Sequence, residues 1–136
     1  MQYRNDRHGE PLSLIGFGCM RFQRSGRGID MAKAEQQIMA AVERGVNYFD
    51  TAYIYPGSEA ALGEILEKNH ARDRVNIATK LPHYMIKKTE DLERYFQEQL
   101  QRLRTDHVDY FLMHMLPEVT TWNRLRELGV EDWLSE

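Results

Sequence analysis

Along its whole length this sequence alternates between short apolar runs and longer stretches whose apolar residues recur every three to four positions. "LSLIGFG" (Leu12 to Gly18) reads as a strand, and "DMAKAEQQIMAAVERG" then sets Ala34, Ile38, Ala41 and Val42 on one helical face. Asp30 suits the N-cap of that helix and Gly45 its stop. "VNYFDTA" is the next strand, followed by a helix in "SEAALGEILEKN" with Leu62, Ile65 and Leu66 inward. "VNIATKL" precedes "TEDLERYFQEQLQRLR", where Leu92, Phe96, Leu100 and Leu103 share a face and Thr89 is placed to cap. "VDYFLMHM" (Val108 to Met115) is a fourth strand, with Met113 and Met115 expected to pack as core. "TTWNRLRELGVEDWLSE" is helical again and breaks at Gly129.

Strand and helix thus follow one another four times at a spacing of about 30 residues, the length of a βαβ unit with a right-handed crossover. Strands that are almost continuously apolar point to a parallel sheet covered by helices. Ahead of the first unit, "MQYRNDRHGEPLSLI" has the makings of a hairpin turning at His8-Gly9. No linker or composition shift divides the 136 residues, so residues 1–136 form one domain. Two architectures accept four such units: a small doubly wound sheet, or the first half of a (β/α)8 barrel of TIM type. Length favours the open sheet, because a whole barrel takes about 250 residues and seldom fewer than about 200.

The placement of ionisable residues favours the barrel. Asp50 closes the second strand, Lys80 the third and His114 the fourth, and Pro56, Pro82 and Pro117 follow where each strand gives way to a loop. In parallel α/β folds this C-terminal edge is where ligands bind, and in barrels catalytic groups come from several strand ends there. Tyr55 lies on the adjoining loop. One such residue carries little weight, since Asp50 and Lys80 also suit a structural ion pair and His114 a core histidine. Together the four make a general-acid set for reducing a carbonyl. A free phenol has a pKa of about 10, an ammonium beside it favours the phenolate, a carboxylate holds the ammonium, and an imidazole orients the carbonyl oxygen. These groups carry no hydride, so a cofactor is implied.

"YFDTAYIYPGSEAALGEIL", "IATKL" and "VDYFLMH" resemble the aldo-keto reductases, whose pattern is an Asp, a Tyr five residues on, then a Lys and a His at the next two strand ends. "GFGCMRF" is similar to that family's first strand and the loop after it, and the N-terminal hairpin to the plug at the base of its barrel. The resemblance implies an NADPH-dependent, less often NADH-dependent, carbonyl reductase on a (β/α)8 barrel. It casts Tyr55 as general acid, Lys80 as the group that lowers its pKa, Asp50 as the holder of Lys80, and His114 as the orienter of the carbonyl. It places Gly18, Cys19, Met20 and Arg21, with Asp50, beside the nicotinamide ribose. Pro56 stands where the family commonly has glycine. The family's remaining cofactor-binding segments lie on strands five to eight, so four units imply a partial barrel that works with a missing half or associates through its open flank. Some members also carry a ferredoxin-like iron-sulfur extension after the barrel. The alternative is a non-catalytic fragment or accessory subunit that uses the barrel half for assembly.

Other classes find little support. Eighteen Lys and Arg against 21 Asp and Glu give a net charge of -3, with no basic stripe for nucleic acid. Cys19 is the one cysteine, which leaves no internal disulfide and no CxxC metal site. His8, His70, His83, His107 and His114 show no zinc spacing, so a metal-dependent hydrolase is disfavoured. "GFGCMR" has Arg21 where a dinucleotide loop needs its third glycine. Without an apolar run of 18 residues or a signal-like N-terminus, a cytoplasmic location is the expectation.

Overall fold

In the computed structural model, which describes residues 1–135, the chain opens with an antiparallel hairpin of β1 (Tyr3–Asn5) and β2 (Pro11–Ser13). Asp6 makes the reversal: its Oδ1 accepts from the backbone N–H of His8 at 2.8 Å and of Glu10 at 2.9 Å. The expected single strand Leu12 to Gly18 divides in two. Leu12 and Ser13 stay in the hairpin, Leu14 and Ile15 are exposed, and β3 (Phe17–Gly18) begins a separate sheet. The cause is Asn47, which accepts from Ser13 N–H and donates to the Pro11 carbonyl, tying the hairpin down before the chain enters the sheet. A second small hairpin, β4 (Arg24–Ser25) and β5 (Gly28–Ile29), lies in the loop after β3 and was not expected from the sequence.

The regular part follows as α1 (Met31–Glu43), β6 (Tyr48–Asp50), α2 (Ser58–Lys68), β7 (Asn76–Leu81), α3 (Glu90–Leu103), β8 (Tyr110–Met113), α4 (Val119–Glu127) and α5 (Val130–Trp133). The parallel sheet runs β3-β6-β7-β8, each strand beside its predecessor. That order separates the two architectures. A doubly wound sheet reverses direction at a switch point, whereas a barrel adds strands in sequence. The fold is a partial (β/α)8 barrel of four strands. The β1-β2 hairpin meets its N-terminal end, where Tyr110 Oη donates to Asp6 Oδ2 at 2.8 Å.

Helix faces pack largely as their periodicity predicts. Ala34, Ile38, Val42, Leu62, Ile65, Leu66 and Leu103 join Phe49 and Ile77 in one apolar cluster, with Ala41 at its margin. Leu81, Ile86, Leu92, Tyr95, Leu125 and Val130 form a second. Phe49, Ile77, Thr79 and Leu81 face the helices, so the alternation of a strand turns Asp50, Ala78 and Lys80 to the concave side. Helices α2 and α3 meet at Gly63, where a Cβ would lie 2.5 Å from the backbone of Leu103.

Some local expectations are corrected. Asp30 caps α1 through Lys33 N–H, but Thr89 does not cap α3. Thr89 is itself helical, and Asp91 reaches back to the N–H groups of Lys87 and Lys88 instead. Phe96 is half-buried against Phe111 and Trp133, while Tyr95 and Gln99 take the inner positions. The fourth strand ends at Met113, and Met115 is 75% exposed rather than core because its left-handed backbone (φ +52°) turns the chain outward. The last helical stretch breaks at Gly129 (φ +81°) as expected; its final residue, Glu136, lies outside the described residues.

Candidate active site

Three strand ends and one loop meet at the C-terminal edge of the sheet. Asp50 is the last residue of β6, Lys80 lies one residue before the end of β7, and His114 follows β8 directly. Lys80 Nζ donates to Asp50 Oδ1 and to the Thr51 carbonyl, each at 2.6 Å. The ammonium also lies 5.4 Å from the centroid of the Tyr55 ring. Tyr55 meets His114 edge to face, with centroids 5.8 Å apart and planes at 89°. The four residues picked out by position in the sequence therefore converge, and Lys80 is the hub.

Their electrostatics follow from depth. The Lys80 side chain is 13% exposed and that of Asp50 34%, so this pair is less screened than a surface pair. His114 is buried, and burial pushes its imidazolium below the ordinary 6.5, helped by repulsion from Lys80 and His83 and opposed by Asp50. The ring is neutral at pH 7. Its Nδ1 is buried with no hydrogen-bond partner.

The loop after β3 is split between two surroundings. Gly18 pairs in register with Asp50 and has open space where a side chain would be, and Met20 and Arg21 beside it are exposed. Cys19 turns inward instead: its side chain is fully buried, its N–H donates to the Asp50 carbonyl, and its carbonyl accepts from Ser58 Oγ. Burial and the Asp50 charge push the thiol up to about 12, so it stays protonated and inert. Its polar backbone groups are spent on the scaffold.

Sequence reasoning missed the support behind Lys80. Glu59, only 2% exposed, accepts from Thr79 Oγ1 at 2.7 Å and Gln99 Nε2 at 2.8 Å, with Arg102 Nη1 at 3.4 Å from its other oxygen. Gln99 Nε2 also reaches the Lys80 carbonyl at 3.1 Å. Burial raises the Glu59 pKa against the opposing hydrogen bonds and Arg102. In sequence Glu59 looks like an acidic residue in the first turn of a helix, a common surface feature, so only its depth reveals it. Tyr84 was also missed; its half-exposed ring lies 6.5 Å from that of His114.

Residues 14–132 match the sequence model described as "Aldo/keto reductase family". The chain belongs to the aldo/keto reductase family. Among curated relatives, it is 30% identical to a 6-dehydroglucose reductase of Novosphingobium aromaticivorans, covering 94% of this chain and 50% of that protein. It is 34% identical to an aldo-keto reductase of Mycolicibacterium vanbaalenii, over 93% of this chain and 44% of that one. A solved aldo-keto reductase from Klebsiella pneumoniae, in complex with NADPH, superposes with a TM-score of 0.72 at 22% identity, over 92% of this chain and 46% of its own. This aldo/keto reductase chain spans about half the length of the curated relatives it matches. Among the described residues, no group of three or more His, Cys, Asp or Glu is arranged to hold a metal, and no helix is long and apolar enough to cross a membrane.

Proposed function

We propose that the chain carries the proton-donating half of an NAD(P)H-dependent reductase of aldehydes or ketones, as the N-terminal half of a barrel, with Tyr55 as general acid. The observation that carries this reading is the reach of Lys80, 2.6 Å from Asp50 Oδ1 and 5.4 Å from the Tyr55 ring. An ammonium so placed stabilises the phenolate left when Tyr55 gives its proton to the carbonyl oxygen. Asp50 and the Thr51 carbonyl hold the ammonium in place. With Nδ1 buried and unpaired, His114 keeps its proton on Nε2, since a buried N–H without an acceptor is the rarer arrangement. That N–H is the second donor to the carbonyl oxygen.

On this reading Gly18, which pairs with Asp50, and the exposed Met20 and Arg21 meet the nicotinamide ribose, with Cys19 as the buried post of the loop. The nicotinamide supplies the hydride that the four side chains cannot. The NADPH bound to the Klebsiella pneumoniae relative supports this choice of cofactor.

The test is loss of NADPH absorbance with a panel of aldehydes and ketones, comparing the parent protein with Tyr55→Phe. General-acid catalysis of this kind contributes about 10²–10⁴-fold, and the phenylalanine variant should lose that factor while keeping its circular dichroism spectrum. An unchanged rate would remove Tyr55 from the mechanism. A second reading, a barrel half that serves assembly, draws on the two unpaired edges β3 and β8 among the described residues. It is favoured if the protein neither binds NADPH nor reduces any carbonyl.

A further inference from the structure

His83 belongs to the single 3₁₀ turn His83–Met85 that follows β7, and its side chain is buried. Its Nε2 lies 3.3 Å from the Met115 carbonyl oxygen. A carbonyl oxygen only accepts, so Nε2 of His83 carries a proton and is the donor, while Nδ1 is buried and unpartnered. Met115 directly follows His114 and holds a left-handed backbone, φ +52°, that costs free energy in any residue but glycine. Its side chain is 75% exposed, so packing contributes little to holding that conformation.

The turn bearing His83 is itself fastened. Arg124, on α4, donates Nη2 to the His83 carbonyl and Nη1 to the Ile86 carbonyl, both at 2.8 Å. His114, by contrast, has a buried Nδ1 with no partner and a long backbone bond to Leu81 of 3.3 Å. Its ring is oriented by the backbone at residues 114–115 and by the rings of Tyr55 and Tyr84.

We propose that His83 is a positioning residue for His114: its hydrogen bond to the Met115 carbonyl holds the left-handed turn that sets the His114 ring against Tyr55. The catalytic value of that placement rests on the reading of His114 given above; the placement itself does not. The charged and titratable groups around His114 are Lys80, Asp50, His83, Tyr55 and Tyr84.

The experiment is amide exchange and ring-to-ring cross-relaxation by NMR on the isotopically labelled protein. In His83→Leu, a substitution that removes the donor and keeps an apolar filling, exchange at His114, whose N–H bonds the Leu81 carbonyl, should rise about tenfold relative to Phe111, and the Tyr55–His114 contact should disappear. His83→Gln keeps an N–H donor without a titrating ring and should restore both. Adding Met115→Gly to His83→Leu should restore the Tyr55–His114 contact, because glycine takes φ +52° without the steric cost of a side chain. Parental exchange and contact in His83→Leu overturn the proposal, as does a His83→Gln protein that behaves like His83→Leu. If His83→Leu does not fold, the double variant is read in its place. Parental contact there supports the proposal, and an unfolded double variant overturns it by assigning His83 to the core. None of these readouts needs turnover. A protein that shows the expected pattern and oxidises no NADPH keeps the positioning of His114 and overturns the reductase reading alone.

Discussion

Lys80 Nζ lies 2.6 Å from Asp50 Oδ1, and the two residues come from neighbouring parallel strands, 30 positions apart. Asp50 sits in register with Ala78, so Lys80 stands one same-face position further along and reaches back across the strand gap. Replacing Lys80 with Met removes the ammonium and leaves the Asp50 carboxylate and the Thr51 carbonyl without it. Hydrogen bonds to charged groups contribute about 1.5–3 kcal/mol, and partial exposure of Asp50 places the expected loss toward the lower end. Urea unfolding checks this, and a midpoint equal to that of the parent would show that the pair contributes nothing to stability. If the proposed reductase reading holds, carbonyl reduction should fall in the same variant even where the fold persists.

His114 gives a pH dependence of known sign. Its folded pKa is lowered below 6.5, chiefly by burial, so between the two values the unfolded chain binds the extra proton. Stability contributed by this group is therefore present above about 6.5 and is lost as pH falls through the lowered folded value. His114→Gln should flatten that part of the stability profile. Denaturant midpoints measured from pH 7 downward test it; an equal slope in both proteins would show that His114 is not the group responsible.

Glu59 runs the other way. Burial raises its folded pKa above 4.5, so the folded state holds the proton to higher pH and stability from this group falls as pH rises through that window. Glu59→Gln lacks the step, so its stability relative to the parent should improve from pH 4.5 upward. Glu59→Leu should be worse than Glu59→Gln at every pH, by about 1–3 kcal/mol, because it strands the buried hydroxyl of Thr79, whereas Gln99 Nε2 keeps Thr79 Oγ1 and the Lys80 carbonyl as acceptors. Paired urea titrations decide both statements, and a leucine variant as stable as the glutamine one would refute the second.

Gly63 sets how closely α2 and α3 approach. Alanine normally stabilises a helix interior by about 1 kcal/mol over glycine. Here its Cβ would fall 2.5 Å from the carbonyl carbon and oxygen of Leu103, which are backbone and cannot swing aside. Overpacking costs about 1–3 kcal/mol, so Gly63→Ala should be destabilising or at best neutral. Thermal unfolding would contradict this contact if the alanine variant melted higher.

Much of the site was legible because strand ends can be read from where an apolar run stops. Asp50, Lys80 and His114 sit at such stops, and Tyr55 precedes the Pro56-Gly57 turn. Cys19 and Met115 were not legible in the same way. Cys19 turns inward in the loop after β3, tied by its N–H to the Asp50 carbonyl, and Met115 turns outward on a left-handed backbone. Glu59 and Gln99 read as ordinary polar helix residues, and their role depends on which strand lies beneath them.

The sequence alone determined the alternation of strands and helices, the buried faces of the helices, and which ionisable groups stand at one edge of the sheet. Those features follow from backbone periods of 2.0 and 3.6 residues, which any short window displays. The tertiary structure decided that the strands add in sequential order as a partial barrel, that Lys80 reaches Asp50 and Tyr55, and that His83 reaches the turn after His114. Such relations join residues tens of positions apart, and they depend on strand register and backbone direction that no local window contains.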